Sequence, residues 1–291
     1  CCLTQIYTAC SRLNLSRAIK KMSSLGRPSS DMAKFKQCLK NAKKIVFVTG
    51  AGISADSGIP TFRGAGGLWR KYQAQALATP EAFHTSPSLV WEFYHYRREV
   101  ALKAQPNPGH IAIANYESKH KDKCITVISQ NVDGLHARAG TNNLIELHGN
   151  LYKTRCTKCK QVLENYDSPI CEALSGRGAP DVDVVGSDIP VKSLPHCQSC
   201  GGLLRPHIVW FGESLDPNVQ EAAETAVSDC SLCLIVGTSS VVYPAAGLGA
   251  RAAAGGALLA EFNLQATAAT DHCQYHFQGS CSTTLTEALT D

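Results

Sequence analysis

The sequence predicts an α/β fold: a Rossmann-like, doubly wound parallel sheet with an inserted small zinc-binding domain. Three observations predict it. Runs rich in Val, Ile and Leu recur at residues 45–48, 125–128, 144–147, 232–236 and 257–262, each bounded by Gly, Asn or other polar residues. Strands that are apolar on both faces belong in a parallel sheet covered by helices on each side. The first run empties into Gly50-Ala51-Gly52-Ile53-Ser54, a strand-to-glycine turn of the kind that lets backbone N–H groups approach a nucleotide's phosphates. Between residues 151 and 206 the strand runs vanish, and Cys156-x-x-Cys159 and Cys197-x-x-Cys200 appear among prolines.

Residues 1–30 hold Arg12, Arg17, Lys20, Lys21 and Arg27, no acidic residue, and much Ser, Thr and Leu. That composition matches an organelle transit segment and lacks the long apolar core of a secretory signal. Mitochondrial import to the matrix is therefore expected, with cytosol and nucleus as further compartments and a plain disordered basic arm as the other reading. A helix over 31–43, capped near Ser30 or Asp31, leads into the first strand. Residues 31–150 and 207–291 are expected to form the dinucleotide-binding domain, with an Ala-rich helix over 245–254. Residues 151–206 are expected to form the zinc-binding domain, with a loop over 176–188.

The chain has 291 residues, 44% of them hydrophobic, enough for a full core and one small accessory module. A formal charge of +4 is too mild for a dedicated nucleic-acid binder, though it suits an anionic ligand. No apolar run approaches the roughly 20 residues that span a bilayer. Fourteen cysteines are too sparse for a disulfide-dense scaffold, and their short-range pairing points to metal in a reducing compartment.

The two Cys-x-x-Cys pairs supply four thiolates that close a tetrahedron around one zinc, leaving no open position for water, so the metal is structural. Cys230-x-x-Cys233 has the same spacing but enters the apolar run at 232–236, where cysteine acts as a small core residue. Catalytic groups must come from the strand ends. Ser129-Gln130-Asn131-Val132-Asp133 follows the second run, with amides and a carboxylate suited to a carboxamide or ribose hydroxyls; a polar loop capping a helix at Asp133 is the plainer reading. Glu146-Leu147-His148-Gly149 ends the next strand and offers His148 as a general base, ahead of His136, which lies in the helix after Asp133. Gly237-Thr238-Ser239-Ser240 and Glu261-Phe262-Asn263 repeat the placement of small and polar groups at strand ends. So many loops converging on one sheet edge point to a large cofactor.

Gly50-Ala51-Gly52-Ile53-Ser54, Gly58-Ile59-Pro60-Thr61-Phe62-Arg63, Gln130-Asn131-Val132-Asp133, His148-Gly149, the paired cysteines and Gly237-Thr238-Ser239 together resemble the sirtuins, NAD-dependent protein lysine deacylases, over residues 40–285. Within them the class III mitochondrial desuccinylase branch is the most similar, through Thr61-Phe62-Arg63-Gly64-Ala65-Gly66-Gly67, Tyr94-His95-Tyr96-Arg97-Arg98 and Val209-Trp210-Phe211-Gly212-Glu213.

The resemblance implies that His148 and Asn131 are catalytic. His148 would deprotonate the cofactor ribose as the acyl oxygen displaces nicotinamide, giving free lysine, nicotinamide and acyl-ADP-ribose. It implies NAD contacts from Gly50, Ala51, Gly52, Ser54, Ala55, Pro60, Thr61, Phe62, Arg63, Trp69, Gln130, Asn131, Asp133 and His148. Gly237, Thr238, Ser239, Asn263 and the backbone at Cys281 would line the adenosine half. Tyr94, Arg97, Val209, Phe211 and Glu213 would meet an acyl-lysine protein substrate.

Tyr94 and Arg97, three apart on one helix face, offer a phenol and a guanidinium for a carboxylate, and Ala74 and Ala78 leave room for a succinyl, malonyl or glutaryl group. Taken alone, the two residues also read as a core tyrosine and a solvated cation. A plain deacetylase or a mono-ADP-ribosyltransferase would use the same cofactor grip. A zinc-ribbon binding module would explain the cysteines alone.

Overall fold

A computed structural model describes residues 27–61, 67–183 and 188–290. Residues 1–26 of the expected transit-like segment, and Phe62 and Arg63, lie outside them. Helix α1 (Met32–Asn41) begins at Asp31, whose carboxylate accepts the Lys34 N–H at 3.0 Å, as the capping signal implied. It leads into β1 (Lys44–Thr49) and the short helix α2 (Ala51–Ala55). A two-stranded ribbon, β2 (Leu68–Trp69) and β3 (Tyr72–Gln73), is followed by α3 (Ala74–Leu77), α4 (Pro80–Thr85), α5 (Pro87–Lys103) and α6 (Pro108–Lys119). Next come β4 (Cys124–Ser129), α7 (Leu135–Arg138), β5 (Leu144–Glu146), β6 (Gly149–Cys156), β7 (Val162–Glu164) and β8 (Leu204–Ile208). The chain closes with α8 (Pro217–Asp229), β9 (Leu232–Val236), α9 (Leu248–Ala254), β10 (Leu258–Asn263), β11 (Tyr275–Gln278) and α10 (Cys281–Leu289).

Six strands form a parallel sheet in the order β11–β10–β9–β1–β4–β5. Taken in chain order within the sheet, that is the Rossmann arrangement, and its direction reverses between β1 and β9. Ligands bind at such a reversal, beyond the carboxyl ends of the strands. Alternation along β1 shows why the run reads as uniformly apolar. Ile45 and Phe47 point into a core with Phe35, Ile113 and Leu285, while Val46 and Val48 point into the opposite core with Val227 and Ala252. Each such buried side chain contributes roughly 1.5–3 kcal/mol.

A third core lies off the sheet and was not anticipated. It joins Trp69, Trp91, Phe93 and Tyr94 to Leu151, Leu174 and Trp210. Helices α3 to α5, expected with the sheet domain, thus share their core with the cysteine-bearing segment. Arg98 of α5 is the tie: buried, its guanidinium donates to the carbonyls of Leu151, Asn165 and Asp167 and to Asn165 Oδ1. Nor do strands vanish between 151 and 206, because β7–β6–β8 form an antiparallel sheet there. Its strands are only partly buried, with β7 exposed throughout and Leu204–Ile208 burying only Pro206 and Ile208, so no continuous apolar run marks it.

At the sheet's reversal point the chain crosses itself backbone to backbone. A Cβ on Gly52 would lie 2.7 Å from the Gly237 carbonyl oxygen, and one on Gly50 would lie 2.6 Å from Thr238 Cβ. Gly52 N–H donates to that same carbonyl at 2.7 Å. The glycines are therefore required first by the contact between the loops after β1 and β9. Gly52→Ala is expected to destabilise the fold by about 1–3 kcal/mol through overpacking, read as a lower urea midpoint at unchanged slope. An unshifted midpoint would mean that the two loops can part without cost.

Candidate functional site

A cleft of about 280 Å³ opens between the sheet's carboxyl edge and the third core. Ala51 and Ser54 come from helix α2, Pro60 and Thr61 from the stretch that follows it, and Gln130, Asn131 and Asp133 from the turn after β4. His148 follows β5, Tyr94 and Arg97 project from α5, and Val209, Phe211 and Glu213 follow β8. Residues from far-apart stretches of chain are thus gathered in one place.

His148 is held by its Nδ1, 3.0 Å from the Gln130 carbonyl oxygen. A carbonyl only accepts, so Nδ1 carries the proton and Nε2 the lone pair, the tautomer a general base needs. The next residue explains the position: Gly149 has φ +84°, and a Cβ there would lie 2.1 Å from the His207 carbonyl oxygen. Only glycine allows β6 to lie so closely against β8, its antiparallel neighbour, just after the histidine.

Asn131 donates through Nδ2 to the Gly50 carbonyl and to Ser54 Oγ, each at 3.0 Å. Ser54 in turn donates to Asp133 Oδ2 at 2.7 Å, while Asp133 Oδ1 accepts the Leu135 N–H at 2.9 Å. The N-cap of α7 is Gly134 and not Asp133, which lies one residue earlier, binds the first N–H of the helix and faces the cleft. Burial pushes its carboxyl above the usual carboxylate range, and the Leu135 N–H and Ser54 hydroxyl oppose the rise. Behind the network, His110 Nε2 approaches Ser54 Oγ at 3.4 Å, and His136 Nε2 lies 3.0 Å from Thr49 Oγ1. His136 is buried and does not line the cleft.

Tyr94 and Arg97 share one face of α5, and the guanidinium carbon lies 5.4 Å from the phenol ring centroid. Trp210 Nε1 donates to the Tyr94 hydroxyl oxygen at 2.8 Å, which leaves the phenol proton for a partner in the cleft. Burial raises the Tyr94 pKa, so the phenol keeps that proton. Phe211 is 46% exposed at the cleft mouth, and its N–H is bound by the Ala78 carbonyl at 2.9 Å.

Two predicted contacts also have partners within the protein. Glu213 lines the cleft, but its carboxylate is engaged by Arg205 at 2.6 and 2.8 Å and by the Trp210 N–H at 2.8 Å, so it fastens the turn that carries Trp210. Trp69 is buried in the third core, its indole N–H on the Gly178 carbonyl at 3.2 Å. The residues expected around adenosine stand outside the cleft on the β9–β10 side. Gln130 Nε2 joins them through Thr238 Oγ1 at 3.1 Å, and Asn263 Nδ2 binds the Thr238 carbonyl at 2.8 Å. Cys281 opens α10, with its thiol toward the Phe262 carbonyl. Trp210 and Arg205 were missed as functional residues. The first stood inside a quoted motif, whereas nothing local ties Arg205 to Glu213.

The sulfur atoms of Cys156, Cys159, Cys197 and Cys200 lie within 4.8 Å of one another. The 156–200 and 159–197 pairs are 3.4 and 3.8 Å apart. Zn–S bonds of about 2.3 Å in a tetrahedron need separations near 3.8 Å, so the donor set fits zinc. Both knuckles end on a left-handed residue, Lys160 at φ +64° and Gly201 at φ +69°. Gly202 admits Cys156 Sγ within 2.8 Å of where its Cβ would be. Cys230 points its thiol at the Val227 carbonyl, and Cys233 is fully buried, so that pair belongs to the core.

The Sir2 family pattern matches residues 50–244. A protein from Canis lupus familiaris named "NAD-dependent protein deacylase sirtuin-5, mitochondrial" is 57% identical over 287 residues, covering 94% of this chain and 93% of its own. A solved Sir2 homolog–NAD complex is 37% identical with a TM-score of 0.78, covering 91% of this chain and 94% of that one. A Sir2–p53 peptide–NAD+ structure is 32% identical with a TM-score of 0.72, covering 87% and 94%. The chain belongs to the Sir2 family.

Replacing Cys156 or Cys197 with Ser is expected to abolish the zinc content and destabilise the small module, because structural zinc contributes folding free energy directly. Cys230→Ser is expected to leave the metal content unchanged. Elemental analysis finding full zinc in the Cys197 variant, or none in the Cys230 variant, would reverse the assignment.

Burial holds the His110 pKa down to about 4, and burial with the neighbouring His110 holds His136 down to about 3. Both lie below the ordinary value of 6.5, so the unfolded chain takes up these protons first, and the stability present above pH 6.5 is lost as the pH falls toward them. Urea midpoints are expected to drop between pH 6.5 and 5, by up to roughly 1.4 kcal/mol per pH unit for each proton. A flat profile over that window would show that neither imidazole is kept neutral.

Proposed function

We propose that this chain is a mitochondrial NAD-dependent protein lysine deacylase that prefers acidic acyl groups: succinyl, malonyl or glutaryl. The family membership and the names of its relatives support the NAD-dependent deacylase reading and the mitochondrial setting. The observation that carries the acyl preference is that Tyr94 and Arg97 line the same cleft as Asn131, Asp133 and His148. When bound in this cleft, NAD would supply the electrophilic ribose carbon and the ribose hydroxyls that deacylation needs.

The protein's part is positioning and proton transfer. Asn131 and Asp133 hold a carboxamide through their paired polar groups. His148, its Nδ1 fixed on the Gln130 carbonyl, takes a proton at Nε2 from a ribose hydroxyl. Tyr94 and Arg97 hold the distal carboxylate by charge-assisted hydrogen bonds, and Ala74 and Ala78 leave space for the acyl chain between. Val209 and Phe211 meet the peptide near the mouth, while Glu213 supports their turn. The division into a sheet domain and a zinc-bearing module follows the same logic, with the substrate lysine entering between them.

His148→Ala is expected to lower NAD-dependent deacylation on the order of 100-fold to 10,000-fold while fold and zinc content stay intact. Near-normal turnover would remove His148 from the mechanism. Arg97→Met is expected to lose roughly 10-fold to 150-fold in kcat/KM on a succinyl-lysine peptide and far less on the matched acetyl peptide. Tyr94→Phe is expected to act more weakly in the same direction. Equal losses on both peptides would make Arg97 a general structural residue.

A further inference from the structure

We infer that Asn107 and Asp56 are positioning residues for NAD, acting through helix α2; the inference rests on the NAD reading of the cleft. Helix α2 presents Ala51 and Ser54 to the cleft. At five residues it is too short to hold its own shape, so its position is set by what it is tied to. Its far end is tied from two directions.

The first tie comes from α6. Asn107 is buried, and its Nδ2 donates to the Ile53 carbonyl at 2.7 Å and to Ser57 Oγ at 2.9 Å. Its Oδ1 accepts the Gly109 N–H at 3.0 Å, the cap of α6. Both amide protons are thus spent on the end of α2 while the oxygen fixes the helix that presents them.

The second tie comes from α10. Asp56, the residue that ends α2, accepts hydrogen bonds from the hydroxyls of Ser280 and Ser282, the latter at 2.5 Å. Ser280 also caps α10 by accepting the Ser282 N–H at 3.2 Å. The two ties meet each other, because a Cβ on Gly109 would lie 3.2 Å from the Cys281 carbonyl oxygen. Three chain ends, those of α2, α6 and α10, are therefore locked into one junction.

Neither Asn107 nor Asp56 lines the cleft, so neither touches reacting atoms. What they govern is where Ser54 stands, and Ser54 holds both Asn131 and Asp133. His148 is anchored elsewhere, on the Gln130 carbonyl and, through its own carbonyl, on the Val209 N–H. Loosening the junction should therefore weaken NAD binding while leaving the proton-transfer step in place once NAD is saturating.

The test measures NAD affinity by calorimetry, and KM for NAD and kcat with an acyl-lysine peptide, on the full chain. Wild type, Asp56→Ala, Ser282→Ala, their double variant and Asn107→Asp are compared. The expected result is a rise of about 10-fold in Kd and KM for NAD, with kcat within about 2-fold of wild type, from a shift smaller than the misplacement that costs about 100-fold. The Asp56 and Ser282 changes are expected to be non-additive, since they break one contact. Should Asn107→Asp fail to fold, the variants at exposed Asp56 and half-buried Ser282 still decide. Unchanged NAD affinity in the folded variants, or kcat falling as much as affinity, would overturn the inference alone. A wild type that binds no NAD would overturn the cofactor reading as well.

Discussion

The structure depends on two places where backbone meets backbone with no room for a side chain. One is the crossing of Gly52 on Gly237 at the point where the sheet's strand order reverses; the other is Gly149 against the His207 carbonyl, where β6 pairs with β8. The first draws the loops after β1 and β9 together and sets the wall on which Ser54 and Asn131 meet. The second turns the chain from the sheet into the small module one residue after His148. Larger residues at either place would separate the groups that the cleft brings together.

The turn after β8 braces helix α5. Trp210 serves two partners at once: its indole N–H holds the Tyr94 phenol, and its ring packs 3.4 Å from the Arg205 guanidinium carbon. Arg205 in turn is fixed by Glu213. Arg98 ties the same helix, α5, to the segment around Asn165. The helix that carries Tyr94 and Arg97 is thus held by buried contacts on both sides, which is the support that the proposed carboxylate recognition requires.

The sheet was legible because a strand buried on both faces reads as an unbroken apolar run, as in Leu232-Cys233-Leu234-Ile235-Val236. Strand β11, Tyr-His-Phe-Gln at the sheet's edge, escaped because only Phe277 is buried among its four residues. The zinc ligands were legible from spacing, since a tetrahedron of thiolates needs two close pairs whatever lies between. The third core was not, because α5 buries Trp91, Phe93, Tyr94 and Arg98 together and shows no clean polar face to mark its partner. The resemblance placed Trp69 and Glu213 near ligands; the three-dimensional contacts add that the Trp69 indole binds the Gly178 carbonyl and the Glu213 carboxylate binds Arg205. Asn107 was not singled out in the sequence, although it joins the end of α2 to the start of α6.

One measurement bears most directly on the claim that a single cleft joins an NAD-dependent deacylation site to a carboxylate-binding pair. It is the kcat/KM of the unmodified protein on two lysine peptides of identical sequence, one acetylated and one succinylated, at saturating NAD. A charge-assisted hydrogen bond is worth about 1.5–3 kcal/mol, so the succinyl peptide is expected to be preferred by at least about 10-fold, with no turnover of either when NAD is omitted. A preference for the acetyl peptide, or equal rates on both, would contradict the account.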